Sequence, residues 1–155
     1  MVLVRERPPY EAYAAIAGSF AGLLATAGAL ARLLDRDPQC QTVLDFAALA
    51  AATFKAARTL THDRVTSPIR APFVEGEADA RNEEPVHEGG MQQALGELVT
   101  CTRCVGTWAA AGLAATQIVA PRFGRLLTWS LGAAAANDIL QAGFTALTGK
   151  ANERS

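Results

Sequence analysis

Charged and aromatic side chains are both scarce in this chain: of its 155 residues, 19% are Asp, Glu, Lys or Arg and 6% are Phe, Trp or Tyr. A net charge of -1 supplies no basic footprint, so nucleic acid is not an expected partner. No Ser-His-Asp order, glycine-rich phosphate loop or paired acidic motif occurs, so nothing nominates a hydrolase or a kinase. There is no internal repeat. A cleavable signal peptide is not expected either. Arg5 and Arg7 precede an apolar run that starts near Ala12, but the run is too long for a signal core and no cleavage site follows it.

What the chain does have is long stretches without charge, with the charges gathered between them. Ala12 to Ala31 is uncharged, bounded by Glu11 and Arg32. Such a run matches a hydrocarbon core of about 30 Å at about 1.5 Å per residue. A second segment, Thr42 to Leu60, has an uncharged centre from Phe46 to Phe54. A third, Cys104 to Pro121, lies between Arg103 and Arg122. A fourth, Leu126 to Gly149, carries one internal charge, Asp138. The expected fold is therefore all-α, one domain over residues 1–155. About four membrane-spanning helices would form two hairpins around a long polar loop. A soluble alanine-rich bundle is the alternative, but Ala12–Ala31 has only Ser19 and Thr26 where a polar stripe should run. Trp108 and Trp129, near the starts of segments three and four, would lie at opposite bilayer faces.

The polar stretch covers residues 61–97. Its acidic part, 75–90, is expected to be flexible. Placing both termini and this loop on one side puts ten cations there (Arg5, Arg7, Lys55, Arg58, Arg64, Arg70, Arg81, Arg103, Lys150 and Arg154). Four remain opposite: Arg32, Arg36, Arg122 and Arg125. The excess of positive charge assigns the ten-cation side to the cytoplasm of a multi-pass protein in the cell's inner membrane. The expected partners are the lipid bilayer and either a second copy or another membrane protein.

Chemistry concentrates in a C-x-x-C pair, Cys101 and Cys104, where segment three begins. A helix N-terminus favours thiolate. Three readings stay open. The pair is half of a zinc site, completed by His62, Asp63, His87 or Glu97, or by a second copy. Or it is a redox pair, although no βαβ pattern surrounds it. Or it is two small thiols packed at a helix start. Cys40 falls on the other side of the membrane. Asp138 and its neighbour Asn137 are polar within an apolar segment, where charge is costly and often functional. The bland reading is hydrogen bonding to a neighbouring helix, or a pair with Lys55. Gly18 and Gly22 form a G-x-x-x-G that permits close helix approach. His62 and His87 read most simply as solvated loop residues.

Two stretches resemble the DUF1360 family of bacterial membrane proteins, a domain of unknown function. The first is Arg58, Asp63, Val65, Pro68 and Arg70, directly after segment two. The second is Glu97, Leu98, Val99, Thr100, Cys101, Cys104, Gly106 and Trp108. The family often has proline after the first cysteine and an aromatic before the second, where this chain has Thr102 and Arg103. The likeness spans roughly Thr42 to Leu147. It implies a multi-pass bacterial membrane protein and gives the C-x-x-C more weight, but it implies no activity. Three functions follow in order. The first is a non-enzymatic adaptor or anchor whose cysteine pair orders the cytoplasmic loop or binds metal. The second is a thiol-active redox enzyme or sensor. The third is a small transporter with Asp138 as its ion site.

Overall fold

The computed structural model describes residues 8–36, 41–76, 83–87 and 89–152. Over these the chain is all-α, apart from one pair of two-residue strands. The expectations for Cys40, Arg5, Arg7, Arg81, Arg154 and most of the acidic run fall outside the described residues.

Helix α1, Tyr10–Leu33, covers the first apolar run with a turn to spare, starting directly after Pro8 and Pro9. Helix α2, Val43–His62, begins at a capping box. The Asp45 N–H donates to Thr42 Oγ1 at 3.2 Å, and the Thr42 N–H donates to Asp45 Oδ2 at 3.0 Å. This arrangement satisfies two amides that a helix start otherwise leaves unpaired. Helix α5, Thr102–Val119, and helix α6, Pro121–Asn152, are separated by Ala120 alone. A proline suits the first position of α6 because that position needs no N–H.

Among the described residues, α1 alone is long and apolar enough to cross a membrane. A bent pair consisting of α5 and the preceding helix α4, Gly90–Thr100, passes the same test together. Helices α2 and α6 do not pass it singly. Lys55 and Arg58 lie in α2, while Arg122, Arg125, Asp138 and Lys150 lie in α6, and these ions lower the average.

The packing differs from two separate hairpins. The centre of the molecule is a trio in which α2 lies against both α6 and α5, and α5 folds back on α6. Ala52, Ala57, Val105, Leu113 and Ala135 are buried there. The expected pairing of α1 with α2 is not what packs. Helix α1 leans on α5 and α4 instead, because the alanine face of α2 is already occupied. Phe20 meets Trp108 edge-on at 5.0 Å. Beyond that contact α1 and α5 part around an apolar groove of about 410 Å³, between Leu24 and Leu30 on one side and Ala111 and Ala115 on the other. Gly18 and Gly22 face open space.

The polar stretch 61–97 carries more local structure than its composition suggests. A 3-10 turn, Arg64–Thr66, leads into a one-turn helix α3, Ser67–Arg70. Strand β1, Val74–Glu75, then pairs antiparallel with β2, Glu84–Pro85, and α4 follows.

Candidate functional site

Two clusters gather the residues that the sequence nominates, and they meet where α2 ends and α5 begins. In the first, the carbonyls at the C-terminus of α2 need donors. Arg70 supplies them. Its Nη1 donates to Leu60 O at 2.9 Å, to Asp63 O at 3.1 Å and to Thr66 Oγ1 at 2.7 Å. Its Nε and Nη2 form a fork on Glu83, at 2.7 and 3.0 Å. Both side chains are almost wholly enclosed, Arg70 at 1% exposure and Glu83 at 4%. A guanidinium suits this place because it carries five donors in a rigid plane. Arg70 thus closes α2 and holds the segment before β2 against it.

The other residues of that motif sit around the staple. Pro68 lies in the first turn of α3, just after Ser67, and Asp63 caps α2 through its backbone, its N–H donating to Thr59 O at 3.2 Å. Arg58 is exposed on α2. Sequence reasoning nominated Arg70 but not Glu83, whose place in an acidic run resembled a solvated charge.

In the second cluster, Cys101 ends α4 and begins α5, and the two helices meet there at 83°. Cys101 and Cys104 are joined by a disulfide with Cα atoms 5.2 Å apart. The Cys104 N–H also donates to Cys101 Sγ at 3.3 Å, so the first cysteine is the N-cap of α5. Arg103 between them is exposed, and the two cysteines are half-buried. Glu97, one turn earlier, takes a hydrogen bond from the Tyr13 hydroxyl and one from Gln93 Nε2 at 3.0 Å. The motif glutamate therefore joins α4 to α1. Tyr13 was not nominated by the sequence, because a lone tyrosine near the start of an apolar run carries no pattern.

The clusters touch through hydroxyls. Thr61 is buried near the end of α2. Its Oγ1 lies 3.1 Å from Thr102 Oγ1 and 2.6 Å from His62 Nδ1. Gly96 lets the strand pair close against α4, since a Cβ there would stand 2.4 Å from Phe73 O. Gly106 faces Ala57, with a Cβ placed at 3.8 Å. Trp108, two residues on, carries the contact with Phe20.

The nominated zinc ligands do not converge. The two sulfurs are bonded to each other, Glu97 is engaged by Tyr13 and Gln93, and His87 is exposed beyond β2. Among the described residues no group of three or more His, Cys, Asp or Glu side chains is placed to hold a metal ion.

Asp138 lies away from both clusters. Its Oδ2 accepts from Lys55 Nζ at 2.7 Å, linking α6 to α2. Asn137 is exposed.

A family model described as a protein of unknown function (DUF1360) matches residues 48–144, a span that holds Arg70, Glu83, Glu97, both cysteines and most of the helical trio and leaves α1 outside. A sporulation protein, YjcA, of Bacillus subtilis (strain 168) is 31% identical over 99 residues, covering 60% of this chain and 84% of that protein. No solved structure matches. The family model falls on the trio and its cap, and the chain belongs to the DUF1360 family.

Proposed function

We propose that the chain is a multi-pass anchor in the cell's inner membrane, in which α1, α2, α5 and α6 cross the bilayer and both termini face the cytoplasm. On the cytoplasmic side, the end of α2, α3, the strand pair and α4 form a cap that serves as an adaptor surface for another membrane protein or a second copy. The observation that carries this reading is the buried Arg70–Glu83 staple. It spends a charge pair on fixing the shape of a cap, and no metal-ligand cluster accompanies it among the described residues.

Two features support lipid around the helices. Large apolar side chains are exposed on α1, α2 and α6, among them Leu23, Phe46, Trp129, Ile139, Leu140 and Phe144; in water such a surface is an aggregation hazard. Exposed hydroxyls also turn inward to their own helices. Ser19, Thr26, Thr116, Ser130, Thr145 and Thr148 each donate to the carbonyl four residues earlier, at 2.6 to 3.0 Å. That pattern satisfies a polar group where water cannot.

The test combines fractionation with proteolysis. The protein is expected to stay with membranes through alkaline extraction, and protease is expected to reach the cap only from the cytoplasmic side of sealed vesicles. Recovery in the supernatant as a monodisperse species without detergent overturns the membrane reading. Cleavage of the cap from the outer side overturns the orientation.

A second reading, a thiol-active redox protein, draws on the same cap. The Cys101–Cys104 disulfide favours it, and so does the half-exposure of both residues.

A further inference from the structure

We infer that Cys101 and Cys104 form a thiol–disulfide exchange site for protein dithiols and disulfides of the cytoplasm, with Cys101 as the attacking sulfur and Cys104 as the resolving one. The inference rests on the cytoplasmic placement of the cap and deepens the thiol-active reading.

Three observations carry it. The first is the ring itself. A disulfide stabilises a fold mainly by restricting the unfolded chain, and the gain is smaller the shorter the loop it closes. These cysteines are three residues apart within one helix start, so a purely structural bond has little to hold. The second is compartment. Disulfides facing the cytoplasm are held open by its thiol pools unless they cycle. The third is asymmetry. Cys101 is the N-cap of the 18-residue helix α5, and its sulfur accepts the Cys104 N–H at 3.3 Å. Backbone N–H groups at a helix start favour thiolate. Cys104 sits within the first turn of α5, where its sulfur can return to Cys101.

The step balances as follows. The Cys101 thiolate attacks one sulfur of a partner disulfide, forming a mixed disulfide and releasing the partner's other sulfur as a thiolate. The Cys104 thiol loses its proton and attacks Cys101 Sγ. The Cys101–Cys104 bond forms, and the second partner sulfur leaves. The two protons of the original dithiol end on the partner's two thiols, and two electrons pass to it. A cytoplasmic protein dithiol reverses the sequence and resets the site.

The experiment uses full-length protein, reduced with a phosphine that is then removed, in inside-out membrane vesicles and again in detergent. The probe is a fluorescent synthetic peptide closed by one internal disulfide. Cys104→Ser is expected to accumulate a covalent peptide adduct at Cys101, and Cys101→Ser about tenfold less. Equal adducts, or none in either medium, overturn the inference. Adduct in detergent but not in inside-out vesicles instead overturns the cytoplasmic placement and leaves the assignment of the sulfurs standing. A measurement on the reduced native chain guards against variants that fail to fold: timed alkylation with peptide mapping should modify Cys101 about tenfold faster than Cys104. Equal rates overturn the assignment.

Discussion

Replacing Arg70 tests how far one side chain shapes the cap. In Arg70→Met the fork on Glu83 disappears, and the carboxylate stays behind at 4% exposure without its partner. Leu60 O, Asp63 O and Thr66 Oγ1 lose the donor they share. Removing one member of a buried ion pair costs about 3–5 kcal/mol. Because the cap is a local unit, the loss should appear there first, as easier opening. At the low end, about 3 kcal/mol, opening becomes roughly 100-fold more frequent. Hydrogen exchange in detergent should show amides of residues 61–75 and 84–100 losing protection by about that factor, while α5 and α6 keep theirs. Arg70→Lys should recover little, since an ammonium cannot reproduce a planar five-donor fork. The double variant Arg70→Met with Glu83→Leu should recover part of the loss, because no charge is then left unpaired. If Arg70→Met protects the cap as well as the native residue does, the staple is not what orders it.

Two further variants probe packing. Gly96→Ala forces a methyl to within 2.4 Å of Phe73 O and should cost about 1–3 kcal/mol, read as faster proteolysis between β2 and α4. Gly106→Ala meets Ala57 at ordinary contact and should leave thermal stability in detergent within about 0.5 kcal/mol, even though it alters a family motif. For the Lys55–Asp138 pair, Lys55→Met or Asp138→Asn alone should lower the thermal midpoint, and the double variant should regain part of the loss. Unchanged midpoints for both single variants refute a coupled pair, and unchanged ion flux in Asp138→Asn counts against transport.

The sequence made some of this legible. Charge-free runs marked α1, α2 and α5 because burial and lipid both exclude ions. The start of α2 was read at Thr42, and its capping box explains why. The start of α6 was read late, at Leu126. Hydropathy stops at Arg122 and Arg125, whereas a helix begins where its first amides can go unpaired, here at Pro121. Helix α4 was hidden for a different reason. Met91, Leu95 and Leu98 give it only a narrow stripe among Gln92, Gln93 and Glu97, which reads as loop. Arg70 stands out as a motif residue, but its pairing with Glu83 joins positions 13 apart that no periodicity links. Tyr13 and Glu97 are separated by 84 residues, and only tertiary packing brings them together.

Cys101 is the single residue between two helices, the C-cap of one arm and the N-cap of the next. No slack lies between them. Helix α4 is therefore a lever of about 16 Å fixed nearly at right angles to the axis of α5. A turn of α5 by about 10° would carry the lever's far end sideways by about 3 Å, and Gly96, midway along it, by about 1 Å against the strand pair it packs on. The corner works as a crank, turning small rotations along one axis into lateral travel across another.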